Sequence, residues 1–179
     1  LRLPGEQDAL VEAVADANDR TVVVVQSGGP VELPWRDDVA AILVSWYPGQ
    51  ADGDALASVL FGDVDASGRL PVTFARADAY PTSDEVRFPG VGDEVHYSEG
   101  VFVGYRHFDA VGAEPAYPFG HGLSYATFDY GDAEMVDEET VVVPVTNASD
   151  RDGREVVPVY VRPPSVDGVD RPVRELAGY

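Results

Sequence analysis

Two short apolar runs constrain this chain more than any other feature. Val22-Val23-Val24-Val25 is β-branched throughout and stops at Gln26-Ser27-Gly28-Gly29. Residues 39–46, VAAILVSW, repeat the signal and stop at Tyr47-Pro48-Gly49. A continuous apolar run leaves no solvent face, so each reads as a strand covered on both sides, as in a parallel sheet. Helical patterns flank the pair. In residues 5–17, Leu10, Val11, Val14 and Ala17 fall on one helical face,. Pro4 suits the first turn, and Glu6 and Asp8 suit the positive end of the helix dipole,. ALASVLFG, from Ala55, carries Leu56, Val59 and Leu60 on one face. Residues 5–62 therefore read as helix, strand, connection, strand, helix, an α/β layered architecture.

The texture changes after that point. GDVDASGRLPVTF is turn-rich and leads into a short extended piece. Residues 75–100 are polar, with Pro81, Pro89, Gly90 and Gly92, and read as a long loop. Aromatics crowd residues 101–130, and an aromatic strand is expected just after Glu99. From about residue 131 the pattern is β only: TVVVPVTN, EVVPVYVR and RPVRELAGY, separated by turn clusters, suggest the first strands of a β-sandwich,.

Composition excludes several functions. Against 32 acidic residues stand 12 basic ones, all of them Arg, for a net charge of −20. No basic surface for nucleic acid is available. The chain has no Cys, so disulfide scaffolds and Cys-based zinc sites are excluded,. No apolar run approaches the roughly 20 residues of a membrane span. A hydrophobic fraction of 45% is too high for a disordered acidic tail,. Such charge repels itself in ordinary salt and is screened at molar salt, where the Debye length is about 3 Å. With Lys wholly absent, the composition reads as adaptation to high salt.

Candidate chemistry is sparse. In open α/β sheets ligands bind at the carboxyl ends of strands, so the loops at 26–30 and 47–53 are the candidate pocket. Ser27, Gly28, Gly49, Gln50 and Asp52 are its candidate residues. The loop 48–54 is neither a P-loop nor a dinucleotide fingerprint, and no cofactor or metal is expected. Asp63-Val64-Asp65-Ala66-Ser67-Gly68 mimics the start of an EF-hand loop, but its twelfth position is Phe74, so a capped turn is the better reading,. Ser27 lacks a nucleophile elbow, and His96, His107 and His121 are not at metal-ligand spacing,. Glu99 is read either as a functional carboxylate or as a structural Glu fixing its loop. Asn147-Ala148-Ser149 fits both a glycosylation sequon and a hairpin turn,. No complete catalytic constellation emerges.

The order of segments adds more. VVVVQSGGPVELPW, AILVSWYPGQADGDALASVLFGDVDASGRLPVTF, YSEGVFVGYRHFD and YPFGHGLSYATFDY resemble the C-terminal half of glycoside hydrolase family 3 enzymes, the β-glucosidases and β-xylosidases. The last part, from VVVPVTN to RPVRELAGY, is similar to the fibronectin type III-like domain that ends many of them. The resemblance implies residues 1–74 as part of an α/β sandwich, 75–130 as an aromatic-rich connector, and 131–179 as a truncated fibronectin-like domain. It implies retaining hydrolysis of β-linked glucosides or xylosides, using two carboxyls about 5–5.5 Å apart. In the family the nucleophile belongs to a TIM-like barrel, and the acid/base Glu precedes a segment like LRLPGEQDAL. Both are expected to lie outside this chain, and no catalytic residue is carried over. Glu99, in the YSEG motif, is not the acid/base. The aromatics at 102–130 are expected to join the two parts. The alternative is a non-catalytic carbohydrate-binding or assembly module with a separate barrel subunit. A nucleotide- or flavin-binding protein is disfavoured by the missing fingerprints.

The high-salt reading predicts that the unfolding midpoint rises between low and molar KCl. A midpoint that stays level or falls contradicts it.

Overall fold

The two apolar runs pair in parallel. β1 (Val22–Val25) and β2 (Ala41–Val44) place Val22 opposite Ala41 and Val25 opposite Val44. The structure is a computed structural model describing residues 1–179. α1 (Gln7–Ala17) precedes the ladder, and the 26–40 connection between the strands contains no helix. α2 (Asp52–Leu60) follows it. It starts before Ala55, because Asp52-Gly53-Asp54 winds into its first turn, with both carboxylates at the positive end of the dipole,.

The core lies around the ladder and is small. Val25, Leu33, Trp35 and Phe74 are buried, with Val23, Ile42, Val44 and Trp46 packed against them. Trp35 is 1% exposed although it comes from the connection rather than from a strand. Its indole N–H donates to the Asp8 carboxylate at 2.9 Å. That bond fixes the roll of α1. Asp8, Val11 and Ala15 share one helical face by their spacing, and Val11 packs on the core while Ala15 is buried. The expected inward face of Leu10, Val14 and Ala17 is therefore corrected: Leu10 is 63% exposed, and Val14 and Ala17 are exposed as well.

The middle of the chain corrects another expectation. After a loop with two 3₁₀ turns at 77–79 and 81–83, residues Tyr105–Val111 form a helix, α3, not an aromatic strand. Gly104 and Gly112, both at positive φ, bracket it, and Gly112 is a left-handed C-cap,. Tyr105 and Phe108, three apart, share a side of the helix. Phe108 is buried and meets Tyr80 edge-on at 5.7 Å.

The remainder is β, but no sandwich closes. β3 (Phe128–Tyr130) pairs antiparallel with β6 (Val145–Asn147), β4 (Glu134–Met135) with β5 (Val141–Val142), and β7 (Val159–Val161) with β8 (Glu175–Gly178). Each pair is a separate two-stranded sheet. Every residue of β4, β5 and β6 is exposed, so these strands have no facing sheet to pack on. The fold class is thus mixed α/β with unfused sheets.

Specific polar contacts hold the halves together. Arg69 Nη2 donates to both carboxylate oxygens of Glu155 at 2.9 Å, and each side chain is 13% exposed. Such a shielded pair, with one nitrogen bridging both oxygens, keeps more of its strength than a surface pair. The Asp109 carboxylate accepts from Arg174 at 2.7 and 2.9 Å. Tyr105, in α3, packs on Tyr160 in β7 and accepts from the Leu176 N–H in β8. Asp65 is the densest node: it accepts from Ser124 Oγ at 2.7 Å and from the backbone N–H of Tyr125 and Ala126 at 2.7 and 3.3 Å. The turn read in Asp63–Gly68 is therefore a pin between distant segments. The Asn147-Ala148-Ser149 turn is likewise closed by Asn147 Oδ1, which accepts from the Ser149 N–H at 2.9 Å.

Even so, little of the chain is inside. Only 11 of 179 residues are buried, and 12445 Å² of surface is accessible. A compact monomer of 19.2 kDa exposes about 8,400 Å²,. The excess is about 4,000 Å²,.

Partial burial alone would raise the Asp65 pKa. The hydrogen bonds from Ser124, Tyr125, Ala126 and Arg154 outweigh it and hold the carboxyl below the usual carboxylate range,. A depressed folded pKa gives stability that is present at neutral pH and lost as pH falls through that pKa. Asp65→Ala is expected to cost about 2 kcal/mol at pH 7 by denaturant unfolding, and to flatten the acid limb of the stability profile. An unchanged acid limb would show that Asp65 does not hold these segments.

Candidate functional site

Because β1 and β2 run parallel and in register, their carboxyl ends emerge on one edge. Residues 26–29 and 45–50 therefore leave side by side. The Ser45 N–H donates to the Val25 carbonyl at 3.0 Å and carries the ladder one step further. The chain then turns sharply. Trp46 takes a φ of 53°, the one positive value at a non-glycine residue. A bulky side chain in that region costs about 1–3 kcal/mol. The Trp46 ring, packed edge-on to buried Phe74 at 5.8 Å, offsets that cost.

The turn throws Tyr47 into solvent, 84% exposed, with its phenol over Gly28. A Cβ at position 28 would overlap the phenol where it now lies, and this exposed side chain would have to swing aside. Gly49, at a φ of 75°, returns the chain toward α2. Gln26 Nε2 donates to Asp52 Oδ2 at 2.7 Å and fastens the end of β1 to the start of α2. The Ser27 hydroxyl donates to the Gly29 carbonyl at 2.8 Å. Ser45 Oγ is buried with no hydrogen-bond partner.

Two of the five candidates thus have defined work at this edge. Gly49 turns its loop, and Asp52 locks the end of β1 to α2. Gly28 lies under the Tyr47 phenol. Ser27 is held in a local turn. Gln50 is exposed and makes no hydrogen bond. Gln26 and Tyr47 lie in the two loops expected to form the pocket but are not among the five residues named, and Trp46 lies outside both loops. The signal for Gln26 was available, as the polar residue that ends the first apolar run. The backbone twist at Trp46 has no counterpart in residue type.

The chemistry on offer is recognition. An exposed phenol, an amide and a carboxylate suit stacking and hydrogen bonding to a polar ligand. No nucleophile–base pair forms here, since Ser27 donates to backbone and the histidines are engaged elsewhere. His96 faces Glu94 at 3.4 Å, and His107 meets the Ala79 carbonyl at 3.1 Å. His121 stacks on Tyr117 at 4.9 Å. Burial, then nearby Arg69, pushes its pKa down.

Residues 1–125 match the glycosyl hydrolase family 3 C-terminal domain. The chain belongs to that family. As a family 3 C-terminal domain it is 48% identical, over its whole length, to a β-glucosidase of Rhizobium radiobacter, of which it covers 23%. It is 43% identical to thermostable β-glucosidase B of Acetivibrio thermocellus, covering 24% of that protein. Among solved structures, a β-glucosidase from Streptomyces venezuelae in complex with D-glucose superposes with a TM-score of 0.91 at 41% identity, over 98% of this chain and 23% of that one. The Bifidobacterium adolescentis family 3 β-glucosidase gives a TM-score of 0.91 at 43% identity, over 99% of this chain and 27% of that one. The family 3 domain described here thus spans about a quarter of the length of these relatives. No helix in it is long and apolar enough to cross a membrane.

Proposed function

We propose that this chain serves as the C-terminal portion of a retaining β-glycosidase that cleaves terminal β-glucosidic or β-xylosidic bonds. The observation that carries the reading is the comparison itself: the whole chain aligns with β-glucosidases while covering about a quarter of each. The physical counterpart is the excess of about 4,000 Å² of exposed surface, which a larger polypeptide would cover,. In this reading a TIM-like barrel supplies the nucleophile, and the acid/base also comes from outside residues 1–179. The strand-end edge, with Tyr47, Gln26 and Asp52, then walls the sugar pocket. Residues 1–74 are the α/β sandwich part and 75–130 the connector. Residues 131–179, whose ribbons β4–β5 and β7–β8 lack a facing sheet, open a fibronectin type III-like domain.

Two assays test this. The isolated chain should not hydrolyse an aryl β-glucoside, whereas the longer polypeptide carrying it should. Hydrolysis by the purified chain, free of contaminating enzyme, would overturn the division of labour. In the longer polypeptide, Tyr47→Ala should raise KM about three- to tenfold, as expected for loss of one stacking contact of about 1 kcal/mol. An unchanged KM would remove the strand-end edge from the pocket.

A further inference from the structure

Away from the strand ends, one carboxylate is buried with nothing to bond. The Glu99 side chain is 8% exposed, and its Oε2 has no hydrogen-bond partner. It lines a cavity of about 310 Å³. Buried polar groups ordinarily find partners, and one that does not needs an explanation.

None of the donors around it reaches Oε2, although Arg87 keeps three further N–H groups and Ser98 its O–H,. Arg87 gives its Nε–H to Ser98 Oγ at 2.9 Å and its Nη1–H to the Pro81 carbonyl at 2.7 Å. Its Nε lies 3.7 Å from Glu99 Oε2, close enough for charge compensation but outside hydrogen-bond range,. His107 Nε2 sits 3.1 Å from the Ala79 carbonyl, which can only accept, so its hydrogen is spent there,. Ser98 adds a hydroxyl to the wall, and the rest is apolar, from Pro81, from Phe102 and from Ala110 and Val111 at the end of α3.

These features select a ligand class. The ligand must donate hydrogen bonds, because the free group is an acceptor. A cation is disfavoured, since Arg87 already balances the carboxylate. A lone carboxylate is too few ligands for a hard metal ion. A neutral molecule with two adjacent hydroxyls fits, with both O–H groups pointing at the carboxylate and its C–H face against Phe102. The volume suits a monosaccharide. We propose that the Glu99 cavity binds a neutral, hexose-sized polyol through a vicinal diol, at a site separate from the loops at 26–30 and 47–53. This goes beyond the glycosidase reading and does not require it.

The test uses the longer polypeptide that carries this chain, with D-glucose as probe. Equilibrium dialysis with labelled glucose should show one fewer bound sugar per polypeptide in Glu99→Ala and at least tenfold weaker binding at that site in Glu99→Gln. kcat/KM for an aryl β-glucoside should not change. Crystals of the unaltered protein soaked in glucose should show the sugar against Glu99. Unchanged stoichiometry in Glu99→Ala, or only water beside Glu99 after the soak, would overturn the proposal. An inactive polypeptide that still loses one glucose on Glu99→Ala would refute the hydrolase reading and leave this site standing.

Discussion

Everything positioned in this chain depends on the parallel ladder of Val22–Val25 against Ala41–Val44. Parallel strands are stable only when covered on both faces. Here cover comes from inside the chain on limited terms: Trp35 and Leu33 from the connection, Phe74 from downstream and Val11 from α1. The Trp35–Asp8 hydrogen bond turns α1 so that Val11 and Ala15 face inward while Leu10 and Val14 do not. The strand-end edge follows from the same ladder. Parallel alignment brings Gln26 and Tyr47 to one side, and the Trp46–Phe74 contact holds the turn that presents Tyr47.

A second tier of contacts attaches the β-rich remainder. It is polar where the first is apolar: Asp65 to residues 124–126, Arg69 to Glu155, and Asp109 to Arg174. In a chain with a net charge of −20, each arginine is scarce. Placing Arg69, Arg106 and Arg174 on specific carboxylates links segments that no continuous core joins. The chain belongs to family 3 and exposes far more surface than a compact monomer of its mass; the proposed larger polypeptide would cover part of that excess,.

Much of the fold was legible because it is local. Continuous apolar runs marked the two strands, and helical periodicity marked α1 and α2. What stayed hidden depends on tertiary choices. The roll of α1 turns on an indole 27 residues away in sequence. The aromatic stretch looked extended because Tyr105, Phe108 and the preceding valines carry β propensity, yet flanking Gly104 and Gly112 let it close as a helix,. At the site, glycines and Asp52 could be picked out by loop position. Tyr47 falls in the loop expected at the pocket, but its exposed presentation rests on the backbone angle at Trp46, which residue type does not show. Glu99 was legible only as a choice between two roles; its burial and its missing partner are properties of three-dimensional placement.

The central claim is that the ladder and its strand-end edge reach full stability only when further protein covers the exposed apolar surface. Amide hydrogen exchange at Val22–Val25 and Ala41–Val44 tests this most directly, comparing the isolated chain with the longer polypeptide. The account predicts fast exchange in the isolated chain and protection at least a hundredfold greater, about 2.7 kcal/mol, in the longer one. Equal protection in both would show that residues 1–179 complete their own core, and would contradict it.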